Sequence, residues 1–229
     1  MKPGVPLEPG VVQQVLGAWV LAERREPGEV EVTLGPSERA LLAEMPWPLR
    51  RGEWLAGRRV AKRLLHEALQ LDPSRIEVLP LESGAPRISV DGTPRTDLVI
   101  NLSHTRGWAV AAVAKGRVGI DVCDDVDGER IARIARRVFS EGEAEKCGAF
   151  QSRETQAAVW ALKEAGLKLF IGGVFDPGAR AIRVESLEPP RGSHSLVEVT
   201  RFREQRVSVF RAAGTDERRP VVGEHGCEQ

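Results

Sequence analysis

Apolar positions in the first third of the chain recur at helical spacing. In GPSERALLAEM, Ser37 precedes a glutamate and an apolar run, the pattern of a capped helix start. In EWLAGRRVAKRLLHEAL, Trp54, Leu55, Val60, Leu64, Leu65 and Leu69 keep one face apolar and predict a second helix. Upstream, VVQQVLGAWVLA is rich in β-branched residues and reads as a strand, with a helix as the alternative. Gly84, Pro86, Gly92 and Pro94 cut the next stretch into short extended pieces, and LVINLSHTRGWAVAAVA and RVGIDV follow as two neighbouring strands.

The second half repeats this mixture. ERIARIARRVF is amphipathic, with Arg130, Arg133, Arg136 and Arg137 on one side and Ile131, Ile134, Ala135 and Val138 on the other. ETQAAVWALKEAGLKLF predicts the longest helix of this half, stopped at Gly172-Gly173. Residues 180–187, 195–201 and 205–211 read as strands. Residues 1–10 are rich in proline and glycine, and a polar tail begins at Gly214; both are expected to be poorly ordered. Helices and strands in each half make the predicted class α+β.

A chain of 229 residues suits one large or two small domains. Lys plus Arg equals Asp plus Glu, 33 against 33, so no global field draws nucleic acid or an anionic membrane, and neither is expected as a partner. Cys123, Cys147 and Cys227 are odd in number and lack metal-ligand spacing, which favours reduced thiols. MKPGVPLEPG carries no signal-type apolar run, and no stretch reaches the roughly 18 apolar residues of a membrane span. A cytoplasmic protein is expected.

Three clusters carry candidate chemistry. In GIDVCDD, Asp121 ends an apolar strand and is followed by Asp124, Asp125 and Asp127, an oxygen-rich setting suited to a hard cation such as magnesium. In WALKEAGLK, Trp160, Glu164 and Lys168 share one helix face, so Glu164 could join the metal and Lys168 meet a phosphate; a surface Glu–Lys pair is the plainer alternative. In NLSHTRGW, Ser103 and His104 end a strand and could donate to phosphate oxygens. A serine-hydrolase triad is disfavoured, since no G-x-S-x-G elbow is present and adjacent Ser and His do not suit its geometry.

Taken in order, SHT, GIDV and WALKEAGLK resemble the 4′-phosphopantetheinyl transferases of the surfactin-synthetase type, and LGPSERALL, RRGEWLAGRRVAKRLL, SGAPRI and VFSEGEAE agree with them over about residues 30 to 210. The resemblance implies transfer of the 4′-phosphopantetheine arm of coenzyme A to a serine of an acyl or peptidyl carrier protein, with release of 3′,5′-adenosine bisphosphate. It implies Mg2+ held by Asp121 and Glu164, with Lys168 and His104 at the phosphates and Glu164 a candidate base. It implies contacts to coenzyme A from Arg58, Lys62, Arg87 and Ser103. It also implies a monomer built as a pseudo-dimer of two similar α+β halves, here 1–115 and 116–213 followed by the tail 214–229, with the site between them. The arginine face of residues 129–139 could steer an acidic carrier, with a solvated helix face as the plainer alternative.

Two positions depart from the family pattern. Cys123 stands where many relatives place a second acidic ligand, and a thiol is a poor donor to magnesium. Ala85 stands where many have a lysine near the phosphates, with Arg87 the nearest replacement. These positions motivate the alternative of a weakened relative that binds coenzyme A or a carrier protein.

Overall fold

A computed structural model describes residues 7–15, 17–25, 31–124, 127–139, 142–143, 152–170, 184, 195–202 and 205–212. Within them lie four α-helices and ten strands in three antiparallel sheets, the α+β class expected.

The first sheet has the order β1-β2-β7-β6, from β1 (Gln13–Val15), β2 (Ala18–Arg24), β6 (Val99–His104) and β7 (Trp108–Ala114). The N-terminal apolar stretch is therefore a hairpin, turned at Gly17 with φ 74°. LVINLSHTRGWAVAAVA is likewise two strands, β6 and β7, rather than one. The reason that β7 reads as unbroken apolar sequence is that both its faces are covered. Ala109, Ala111 and Val113 pack under α2 (Pro48–Leu69) with Val60, Leu64, Leu65 and Leu21, while Val110 and Ala112 pack with Val118 and with Ile120 and Val122 of the next strand.

That next strand, β8 (Gly119–Asp124), pairs with β10 (Gln205–Ala212), which pairs with β9 (Ser195–Phe202). It thus contacts β6 without belonging to the same sheet. The short pieces between them are β3 (Ile76–Pro80), β4 (Pro86–Val90) and β5 (Thr93–Pro94), a small meander. α3 (Gly128–Val138) packs on α4 (Arg153–Phe170), and α4 lies across β8 and β10. Ile131, Ala135 and Val138 of α3 are buried, but Ile134 is exposed, because the stripe facing α4 runs i, i+4, i+7 and passes it by.

The first helix, α1 (Pro36–Ala43), starts one residue before Ser37. Pro36 occupies its first turn, and the orphan amide of Gly35 donates to Glu38 at 3.0 Å, so Glu38 caps the helix and Ser37 does not. Ser37 instead donates through its amide and hydroxyl to Glu77 of β3, at 2.7 and 3.1 Å. The expected strand at 180–187 and the stop at Gly172-Gly173 fall outside the described residues apart from Val184.

Candidate active site

The site forms where the C-terminal end of β6 and the first half of β8 meet α4. Alternation along β8 turns Gly119 and Asp121 toward α4 and sends Ile120 and Val122 into the core beneath the first sheet. Gly119 makes the approach possible. A Cβ there would lie 1.9 Å from the Ala165 carbonyl oxygen, so α4 rests directly on the strand backbone. This contact brings Glu164 and Lys168 of α4 to Asp121.

Asp121 is a buried carboxylate whose partners all use one oxygen. Its Oδ1 accepts from the Ser103 hydroxyl at 2.6 Å and from Lys168 Nζ at 2.8 Å. Lys168 also donates to the carbonyls of Leu102 and Ile120, at 3.2 and 3.1 Å, and so ties both strand ends to α4. The Ser103 oxygen in turn accepts from the Val122 amide at 3.3 Å. One turn before Lys168, Glu164 is also 7% exposed, yet it makes no hydrogen bond or ion pair with any described residue. Burial pushes its carboxyl up to about 7, the charge of Asp121 adds to the rise, and Lys168 offsets part of it. The surface Glu–Lys pair is thereby set aside: Lys168 pairs with Asp121, and Glu164 is left inside with its charge unmatched.

Asp121 Oδ2 and Glu164 together supply carboxylate oxygens with no described donor, and this fits a divalent cation. Among the described residues no group of three or more His, Cys, Asp or Glu side chains converges on one point. Two carboxylates suffice for magnesium when phosphates and water complete its shell. Cys123 is buried and packs with Ile131, Ala135, Val138 and Phe139, so it belongs to the α3–α4 core. Asp125 lies outside the described residues.

His104 lies on the opposite side of β6 from Ser103, toward α2. Burial lowers its pKa, Glu53 works against that, and the charges of Arg25, Arg50 and Lys168 lower it further. Sequence reasoning missed the surrounding set. Arg25 donates to the Thr105 carbonyl at 2.8 Å, and Glu53 lies 3.7 Å from Arg25 and 3.8 Å from Arg50. Arg50 and Glu53 at i, i+3 were legible as a helix pair, but nothing local to Arg25 announces its position beside them.

The remaining expected coenzyme contacts, Lys62, Arg58 and Arg87, lie on α2 and β4. Lys62 is buried on α2 in an ion pair of 2.6 Å with Glu38, and it donates to the carbonyls of Thr33 and Ile76 at 2.6 and 2.5 Å. Glu38 also accepts from the Val78 amide at 2.9 Å, so the pair anchors α1, α2 and β3 to one another. Its ammonium is engaged inside the fold by Glu38 and these carbonyls. Arg58, one turn earlier, donates from Nε to the Val78 carbonyl at 3.0 Å and stacks on Trp54 at 4.2 Å. Burial lowers its pKa to about 10 even with Glu38 nearby. Arg87 is exposed on β4, which packs against β6.

Lys163, beside Glu164, has no exposure and pairs with Glu143 at 2.7 Å. The same carboxylate accepts from the Val184 amide at 2.7 Å. Lys163 therefore faces away from Asp121 into the α3–α4 core.

Comparison with known proteins gives the family of the chain. Residues 117–221 match the family model of the 4′-phosphopantetheinyl transferase superfamily. The chain is 35% identical over 142 residues to the 4′-phosphopantetheinyl transferase AcpT of Salmonella typhi, covering 60% of this chain and 68% of the relative. It is 37% identical over 95 residues to the holo-[acyl-carrier-protein] synthase of Geobacillus kaustophilus, covering 39% and 72%. It is 26% identical over 167 residues to the 4′-phosphopantetheinyl transferase HetI of Nostoc sp., covering 71% and 70%.

Proposed function

The chain belongs to the 4′-phosphopantetheinyl transferase superfamily and is an enzyme of that transferase class, and on this premise we propose that its site moves the phosphopantetheine arm of coenzyme A to a serine of an apo carrier protein with Mg2+ as the cation. The observation that carries the reading is Glu164, a buried carboxylate without a described partner that feels the charge of Asp121, whose Oδ2 has no described donor. A protein interior tolerates such a pair only when a cation or a proton neutralises it.

In this reading Asp121 and Glu164 hold the cation. When bound, it neutralises the pyrophosphate of coenzyme A and stabilises charge that builds on the phosphate oxygens. Lys168 stands beside Asp121 and offers its charge to the same phosphates, and His104, Arg25 and Arg50 supply donors on the α2 side. The carrier serine oxygen attacks the phosphorus that bears the pantetheine arm, a new P–O bond forms, and the bond to 3′,5′-adenosine bisphosphate breaks. The serine proton passes to a base, for which the ionised Glu164 carboxylate is the candidate. Exposed Arg130, Arg133 and Arg137 on α3 favour approach of an acidic carrier. The motif order supports the surfactin-synthetase type, and a cytoplasmic monomer of two halves meeting near residue 115 is part of the reading that this resemblance implies.

The test is intact-mass analysis of several apo carrier proteins incubated with this protein, coenzyme A and magnesium. The expected result is a mass gain of one phosphopantetheine that disappears with chelator and with Asp121→Ala or Glu164→Ala. No gain on any carrier beside a working control transferase would overturn the reading.

A further inference from the structure

We propose that Ser103 is a positioning residue for the cation ligand Asp121, and that it does not contact the phosphates of the substrate. This rests on the metal reading above and goes beyond it, since the sequence places Ser103 beside His104 as a phosphate donor.

The argument begins with strand parity. Asn101 and Ser103 leave one face of β6 and Leu102 the other, where it packs under α2. Asn101 donates to the Val118 carbonyl at 3.3 Å, just before β8, and Ser103 donates to Asp121 at 2.6 Å. The Ser103 face therefore belongs to the β6–β8 contact. The hydroxyl has one proton, and it is committed to Asp121 Oδ1; its oxygen accepts from the Val122 amide at 3.3 Å. Ser103 is 8% exposed, and a phosphate that took its proton would strip a hydrogen bond from a buried carboxylate.

The consequence lies in the two oxygens of Asp121. Ser103 and Lys168 both donate to Oδ1, from β6 and from α4, and between them they fix the rotation of the carboxylate. Oδ2 carries no described donor and is left for a cation that Glu164, close enough to feel the charge of Asp121, would share. Lys168 divides its donors among Asp121 and the carbonyls of Leu102 and Ile120, so the Ser103 hydroxyl is the second, independent donor that sets the plane from β6. A hydrogen bond to a ligating carboxylate is the kind of outer contact whose loss weakens metal affinity by roughly 10–100-fold.

The experiment uses the full chain without coenzyme A and measures Mn2+ dissociation constants by electron paramagnetic resonance for wild type, Ser103→Ala and Ser103→Thr. Coenzyme A affinity is measured separately by calorimetry in chelator, and unfolding midpoints in chelator show that each variant is folded. The expected result is a Mn2+ dissociation constant raised roughly tenfold or more in Ser103→Ala, restored toward wild type by the hydroxyl of Ser103→Thr, with metal-free coenzyme A affinity unchanged in both. An unchanged Mn2+ constant together with weakened coenzyme A binding in Ser103→Ala would overturn the proposal and make Ser103 a phosphate contact. Failure of the wild type itself to bind Mn2+ would overturn the metal reading beneath it, which is a distinct result.

Discussion

Lys163 and Glu143 form an ion pair of 2.7 Å with side chains 0% and 4% exposed, one residue along the chain from Glu164. Removing one member of such a buried pair takes the counter-charge from the other, at a cost of roughly 3–5 kcal/mol. Lys163→Met is expected to lose about that much in urea unfolding. Adding Glu143→Gln keeps an acceptor for the Val184 amide and removes the second charge of the pair, so the double variant is expected to regain part of the loss. Additive losses would show that the two residues are not coupled.

Gly119→Ala places a methyl group where the Ala165 carbonyl already lies. Since backbone must move, the expected cost is at least the roughly 1–3 kcal/mol of an overpacked core. Displacing α4 also carries Glu164 and Lys168 away from Asp121, so magnesium affinity is expected to fall with stability. Calorimetric Mg2+ titration at a temperature where the variant is folded reads the second effect; unchanged affinity would show that α4 takes up the strain elsewhere.

Glu164 holds its proton up to about pH 7 in the folded chain, against an ordinary value of 4.5. As pH rises through that window the unfolded chain releases the proton first, so wild-type stability falls, by at most about 3 kcal/mol. Glu164→Gln removes this dependence. In chelator, its unfolding midpoint is therefore expected to gain on the wild type between about pH 4.5 and 7 and then hold its lead, and magnesium should shrink the lead by stabilising the wild type alone. A gap that does not vary with pH would show that Glu164 keeps its ordinary ionisation.

Lys62→Met breaks the buried pair with Glu38, for an expected loss of roughly 3–5 kcal/mol. Because the ammonium is engaged by Glu38 and by the carbonyls of Thr33 and Ile76, coenzyme A affinity of the folded variant is expected to match the wild type in calorimetry. A large affinity loss with intact stability would return Lys62 to the coenzyme site.

Sequence alone determined the class of the fold, its main helices and the residues Asp121, Glu164, Lys168 and His104 as chemistry worth attention. These were legible because periodicity and short motifs are local: one face of α2 repeats its apolar positions, and GIDV and KEA carry their carboxylates within a few residues. The tertiary structure decided which partners those groups have. Lys168 could have paired with Glu164 a turn away, yet it reaches Asp121, 47 positions distant, because Gly119 lets α4 settle onto β8. Lys62 and Arg58 look like ligands for phosphate in the sequence, and packing of α2 against β3 turns them inward to Glu38 and Val78. Ser103 likewise acquires its partner only when β6 and β8, strands of different sheets, meet. A charge in a sequence carries no record of what will lie opposite it, and the pairing of buried charges is set by contacts between residues far apart in the chain.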